Sequence, residues 1–177
     1  MNGHTHFVIG ISAGIVLAAN LDANTPATLA IIAAAGLGAL APDIDTPNSL
    51  ISRRLWPLSL LSRPFLKHRG LTHGLLAFFL VSVGILLAIG LGVPNVLWGF
   101  PAGWATHIIA DLCTKDGLRL LWPKRRDFRV LPRRFAVRTG SLGEAIIALV
   151  FFVWVLYQGF GIPSVHSAIT SAIQYWQ

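Results

Sequence analysis

His107 and Asp111 lie four residues apart at the end of a long apolar stretch. On an α-helix such residues share one face, so the imidazole and the carboxylate can hold one ion between them. Ionisable side chains within a membrane span are costly and by default functional; a hydrogen-bonded polar pair between packed helices is the alternative. Gly99 and Gly103 extend the same face and allow a neighbouring helix to approach closely. We therefore predict a metal site at this helix end.

Asp43 and Asp45 follow Pro42 just after another apolar stretch ends. In extended backbone, residues two apart point the same way. Two such carboxylates suit a divalent ion, or one ligand and one general base. The alternative is that each bonds only to nearby backbone amides, as Asp in a turn after a helix often does. The two carboxylates together, with histidines nearby, favour the site.

Three histidines and one arginine supply further candidates. His6 shares a helix face with two glycines, and we favour it as a metal ligand. His68 and His73 are five apart, which is too far round a helix to share a face. We expect Thr72 to cap a helix that begins at His73, with His68 on a loop over the site. Arg69 could bind a phosphate or carboxylate with both prongs of its guanidinium, or serve only as a charge that sets topology.

Glu144 has two interpretations. Ser141-Leu142-Gly143-Glu144 fits a capping box, in which the glutamate bonds the backbone amide of Ser141; the carboxylate could instead take part in catalysis. Imidazole and carboxylate ligands together suit zinc, with manganese and iron as alternatives. Because the candidate donors exceed one tetrahedral shell, we expect one or two ions, and a two-ion site would suit phosphoryl transfer.

Five apolar segments must position these residues, and they predict an all-α integral membrane bundle of about five spans with interfacial helices. The chain has 177 residues, 54% hydrophobic and 12% charged, and its mean hydropathy of +0.66 is unusual for a soluble domain. The segments cover residues 6–20, 26–41, 73–92, 94–112 and 142–161. The first two are short of a full span of about 20 residues and could form a buried hairpin. We predict a membrane-embedded domain over 1–163 and a C-terminal surface helix over 164–177, with a further interfacial stretch at 46–66.

The basic residues predict the topology. All fourteen lie in two loops, five between 53 and 69 and nine between 115 and 138. With five spans these loops share one side, which the positive-inside rule makes cytoplasmic. The N-terminus and every candidate site residue then lie at the cytoplasmic face. Since topology accounts for the net charge of +7, we expect membrane lipids and no nucleic acid as partners; the oligomeric state is left open.

Five motifs between residues 5 and 144 together resemble a known family. They are Thr5-His6-x3-Gly10, Pro42-Asp43-x-Asp45, His68-Arg69-Gly70-x-Thr72-His73, His107-x3-Asp111-x2-Thr114 and Thr139-Gly140-Ser141-x2-Glu144. The chain resembles the bacterial YdjM-like family, LexA-regulated (SOS response) inner-membrane proteins described as metal-dependent hydrolases. That family is distantly similar to zinc-dependent phospholipase C. The resemblance implies His6, Asp43, His73, His107 and Asp111 as metal ligands, with Asp45 as a ligand or the water-activating base.

We therefore expect a membrane-bound metal-dependent hydrolase of the bacterial inner membrane that cleaves a phosphoester of a phospholipid or related headgroup at the cytoplasmic face. Asp45 or His68 would transfer the proton, and Arg69 would stabilise the developing negative charge. Glu144 is the fourth catalytic candidate. One alternative is a non-catalytic membrane module that binds metal or lipid. A metal-ion transporter is less favoured, because it would need polar residues through the bilayer, whereas these lie at one end.

Overall fold

The computed structural model of the chain describes residues 1–46, 49–54, 71–124, 126–161, 170–171 and 173–174, and this part is helical without a β-strand. Its α-helices are α1 Gly3–Asn20, α2 Thr25–Leu40, α3 Leu50–Arg54, α4 Leu75–Gly90, α5 Gly99–Leu112 and α6 Leu142–Gly161. Shorter 3-10 helices cover Ala41–Asp45, Leu71–His73 and Asn95–Trp98. The five longer α-helices fall on the five predicted apolar segments, so the all-α class is confirmed.

Local signals set the limits of α2. The Asn24 side chain accepts a hydrogen bond from the backbone N–H of Ala27 at 3.1 Å, and Pro26 lies in the first turn. Beyond Leu40 the chain continues as the 3-10 helix Ala41–Asp45, so the extended backbone expected around Asp43 is wrong. Pro42 explains the difference, because its fixed φ of about −65° fits the first turn of a helix as well as extended chain.

Small residues let α1 and α5 pack closely against α2. Ala35 of α2 is fully buried. A Cβ atom placed on Gly14 of α1 would lie 2.9 Å from the Ala35 Cβ, and one placed on Gly103 of α5 would overlap the Ala35 carbonyl oxygen. Any larger residue at these positions would force the helices apart. The predicted glycine stripes are therefore the contact surfaces that fix α1 and α5 on α2.

The outer faces of α4 and α6 are apolar and exposed. Phe79 and Leu80 on α4, and Leu149 and Val153 on α6, are each more than half exposed. Such surfaces are rare on soluble monomers. Among the described residues, one helical segment, Thr25–Ile44, is long and apolar enough to cross a membrane, with a mean hydropathy of 1.7; shorter apolar helices lie within α4 and α6.

The basic loop between α5 and α6 is anchored at the end of α5. Leu118 is buried against Trp104 and Ile108 of α5, and its backbone N–H donates to the Phe128 carbonyl at 3.0 Å. The described lysines and arginines of this loop are exposed. Of the predicted interfacial stretches, α3 is the described helical part of 46–66; most of 164–177 lies outside the described residues.

Candidate metal centre

His107 is fixed by the end of α2. Its Nδ1 lies 2.7 Å from the carbonyl oxygen of Ala39, and because a carbonyl only accepts, Nδ1 carries the proton and donates. Ala39 lies in the last turn of α2, where carbonyls have no partner further along the helix. The imidazole is thereby held in the tautomer whose Nε2 has a free lone pair, the arrangement typical of a metal-binding histidine.

His6, His107 and Asp111 form the first group of donors. They come from the start of α1 and the last two turns of α5, and all three are buried. The two imidazole rings stack with centroids 3.7 Å apart and planes 15° apart. Asp111 Oδ1 lies 3.2 Å from His6 Nε2, and Asp111 Oδ2 lies 3.8 Å from His107 Nε2. One ion could therefore contact all three side chains.

Asp43, His73 and His107 form the second group, which shares His107 with the first. Asp43 Oδ1 lies 3.5 Å from His73 Nε2 and 3.9 Å from His107 Nε2. The His73 ring meets that of His107 edge-on, with centroids 5.0 Å apart. Asp43 is about 15% exposed, whereas the three histidines of the cluster are fully buried. Of these ligands, Asp43 is therefore the most accessible from outside.

These residues fit a divalent ion on two counts. First, Nε2 of His6 and of His107 is buried and makes no hydrogen bond with the described residues, although buried polar atoms are nearly always paired. The 3.2 Å approach of Asp111 to His6 lacks hydrogen-bond geometry. Second, ligands on a tetrahedral zinc with bonds of about 2.1 Å lie roughly 3.4 Å apart, close to the 3.2 to 3.9 Å separations seen here.

The electrostatics of the His107 contacts also favour a bound cation. With its proton on Nδ1, His107 presents Nε2 as an acceptor toward Asp43 and Asp111, whose ionised carboxylates are also acceptors. Acceptors facing one another repel unless a cation lies between them. A metal ion held by Nε2 and the carboxylates would remove the repulsion and would also satisfy the buried lone pairs.

Glu144 belongs to neither group of donors. Its Oε2 accepts a hydrogen bond from the backbone N–H of Gly140 at 2.6 Å, and its Oε1 accepts one from that of Asn2. The Ser141 Oγ in turn accepts from the Glu144 N–H at 3.4 Å. The capping function is therefore present. The predicted bond from the Ser141 amide is wrong, because the glutamate accepts from the backbone N–H of Gly140. The carboxylate fastens the start of α6 to the start of α1.

Two local features of the site differ from the sequence prediction. The helix after the second histidine begins at Leu75, with Gly74 at its cap position, so the predicted start at His73 with a Thr72 cap is wrong. The Thr72 hydroxyl lies 3.1 Å from Nδ1 of His73 and orients the ring. Sequence reasoning missed this function of Thr72 and that of the Ala39 carbonyl; the only signal for Ala39 was its place in a final helical turn.

The remaining predicted residues are placed only in part. Asp45 ends the 3-10 helix after α2, and its side chain lies outside the described residues, as do His68 and Arg69. Their catalytic functions stay predictions. His4, two residues before His6, is exposed.

The chain is similar in sequence to known proteins. Residues 1–169 match the family described as YdjM inner membrane protein. Inner membrane protein YdjM of Escherichia coli (strain K12) is 36% identical over 140 residues, which cover 75% of this chain and 68% of that protein. Uncharacterized protein YvsG of Bacillus subtilis (strain 168) is 32% identical over 165 residues, covering 90% of this chain and 98% of that protein. No solved structure matches significantly. The chain therefore belongs to the YdjM inner membrane protein family.

Proposed function

We propose that this protein is a metal-dependent hydrolase of the bacterial inner membrane that cleaves a phosphoester of a phospholipid or related headgroup. The inner-membrane location is supported by the names of the family and of its relatives. The exposed apolar faces of α4 and α6 and the apolar segment Thr25–Ile44 support it independently. In the proposed arrangement the chain spans the bilayer about five times with its N-terminus in the cytoplasm.

The observation that carries the proposal is the single cluster made by the two donor groups. His6, Asp43, His73, His107 and Asp111 come from four separate helical elements and meet at one end of the bundle. Burying imidazoles and carboxylates together at a membrane boundary costs free energy. A divalent ion, most suitably zinc, with manganese or iron as alternatives and one or two ions, accounts for this set of donors.

The chemistry at this site divides between the ion and the chain. A bound divalent ion supplies Lewis acidity, which polarises a phosphoryl oxygen and makes water a better nucleophile near neutral pH. Ala39 and Thr72 hold the His107 and His73 rings in position through Nδ1. Asp45 and His68 are the proposed proton acceptors, and Arg69 is proposed to neutralise charge on the phosphate.

The position of the cluster suits a lipid headgroup. His6 lies in the first turns of α1, and Asp111 in the last turn of α5, next to the exposed basic loop 115–138. A site at the end of the spans can reach a phosphate in the headgroup layer without lifting the lipid from the bilayer. The basic loop would attract anionic headgroups to the same face.

The test is headgroup release from phosphatidylglycerol vesicles by the purified protein. We expect metal-dependent release that is lost in His107→Ala and after chelation, because both remove the ion or its shared ligand. His4→Ala is the matched control: it removes an exposed histidine on the same turn as His6 and is expected to keep the wild-type rate. Release that survives both His107→Ala and chelation would overturn the mechanism. Bound metal without hydrolysis of any phospholipid in a panel would favour the non-catalytic module.

A further inference from the structure

A cavity of about 860 Å³ runs between α1, α5 and α6, beside the donor cluster. Its volume lies in the range of pockets that bind small molecules. The lining is almost entirely apolar and includes Ile9, Val16, Ile109, Val150 and Trp154. We refer to this cavity as the α1/α5/α6 groove.

The polar side chains in the groove lining are already bonded within their own helices. Ser12 Oγ, Asn20 Nδ2 and Thr106 Oγ1 each donate to a backbone carbonyl three or four residues earlier, at 2.9, 2.8 and 2.7 Å respectively. These groups therefore make no demand for a polar ligand. The groove presents a hydrocarbon-like surface along its length.

One end of the groove lies at the donor cluster. Met1 lines the groove, and its N-terminal ammonium contacts Oδ1 of Asp111. Ala110, which also lines the groove, directly precedes Asp111. The other end reaches Asn20. The 18-residue helix α1 is about 27 Å long at 1.5 Å per residue, so a groove that reaches from the donor cluster to Asn20 has nearly the length of the roughly 30 Å hydrocarbon core of a bilayer.

We propose that the α1/α5/α6 groove binds an acyl chain of the lipid whose phosphorylated headgroup lies at the donor cluster. This inference rests on the proposed function. It restricts the substrate of that function to a phosphorylated lipid that carries an acyl chain. The order along the bundle matches such a molecule: the exposed basic residues of 115–138 come first, then the candidate metal ligands, then an apolar groove long enough for an acyl chain. A water-soluble phosphoester without an acyl chain would not fill the groove.

The test uses phosphatidylglycerol with a photoreactive diazirine at mid-chain, added to the full chain in lipid nanodiscs. We expect labelling of the half-buried groove residues Ile9 of α1 and Trp154 of α6. The exposed residues of α4, which lie outside the groove, should be labelled much less. Ala13→Trp, which fills the groove, should lower groove labelling at least about tenfold, the factor expected for two buried methylene groups. Ala33→Trp adds the same indole to an exposed position of α2 and should change nothing.

Equal labelling of the groove and of α4, or groove labelling unchanged in Ala13→Trp, would overturn the proposal and leave bulk lipid or a second copy of the chain as the neighbour. Competition on the wild-type protein needs no variant: unlabelled long-chain phosphatidylglycerol should compete and short-chain analogues should not, and equal competition would contradict the inference. Labelling without headgroup release would refute the proposed function alone, and release without groove labelling would refute this inference alone.

Discussion

Asp111 and Glu144 are both about 2% exposed and lie at the same end of the bundle, yet their surroundings differ. The oxygens of Glu144 accept hydrogen bonds from backbone amides of Asn2 and Gly140. The oxygens of Asp111 face the imidazoles of His6 and His107 at 3.2 and 3.8 Å, and Oδ1 also contacts the N-terminal ammonium of Met1. Burial alone therefore does not identify a chemically active carboxylate.

The groups that contact each carboxylate distinguish Asp111 from Glu144. A backbone N–H can only donate, so a carboxylate whose two oxygens each accept from one is held by these hydrogen bonds and links the two chain segments. An imidazole whose Nδ1 already donates to Ala39 offers only a lone pair. Asp111 faces this lone pair with Oδ2, whereas the N-terminal ammonium of Met1 contacts Oδ1. A cation between Nε2 and Oδ2 would relieve the repulsion between these two acceptors. We infer that Asp111 belongs to a metal centre and Glu144 to the scaffold that holds it.

Asp111→Asn should give the largest effect. The substitution keeps the shape but removes the charge and one acceptor of the first donor group, so we expect metal affinity to fall at least about 100-fold, the upper end for residues that only orient a ligand. Metal titration of the purified apoprotein measures it. Asp127→Asn, at an exposed carboxylate paired with Arg119, is the matched control. Equal affinity in wild type and Asp111→Asn would remove Asp111 from the centre.

Glu144→Gln should lower the stability and leave metal binding unchanged. A glutamine has one acceptor oxygen where the glutamate uses two, so one buried amide loses its partner and the free energy of unfolding should fall by about 2 kcal/mol. Metal content should match the wild type. The thermal unfolding midpoint in detergent and the metal-to-protein ratio check both expectations. Unchanged stability with hydrolysis abolished would instead make Glu144 catalytic.

Much of the fold was predictable because its signals are local. Proline and Asn24 mark the start of α2, apolar runs mark the five longer helices, and the glycines at 14 and 103 mark the close contacts with Ala35. The backbone around Asp43 was not predictable from periodicity, because Pro42 permits both an extended chain and a 3-10 helix.

Thr72→Val should have a moderate effect. Valine keeps the branched shape but loses the hydroxyl that lies against Nδ1 of His73, so we expect metal affinity to fall about tenfold through a looser ring. Thr28→Val is the matched control, because that hydroxyl donates to the Ala23 carbonyl in the loop between α1 and α2. If both variants bind metal equally, Thr72 has no orienting function.

Ser141→Ala should have the smallest effect. It removes the hydroxyl that accepts from the Glu144 N–H at 3.4 Å, and loss of a capping side chain typically costs about 1 kcal/mol. A small drop in the unfolding midpoint with wild-type metal content would place Ser141, like Glu144, in the scaffold. Reduced metal content at unchanged stability would extend the centre toward α6.

The candidate site was predictable where spacing alone carries the information. The i, i+4 spacing predicted the pair His107 and Asp111, and the shared helix ends predicted that the candidate residues lie at one face. The family resemblance then selected the five residues that the structure brings together. Partners distant in sequence gave no local signal: Glu144 bonds Asn2, which is 142 positions away, and the Ala39 carbonyl that orients His107 is a backbone atom. Such contacts exist only once the helices have packed.

X-ray fluorescence and absorption on the purified wild-type protein and on His107→Ala test the central claim most directly. We predict one or two zinc, manganese or iron ions per chain, with nitrogen and oxygen neighbours near 2.0–2.2 Å for zinc, imidazole scattering and no sulfur. His107→Ala, which removes the ligand shared by both donor groups, should lose the signal. Equal metal content in the two proteins, or a sulfur neighbour from Cys113, would contradict the assignment of this cluster as the metal centre.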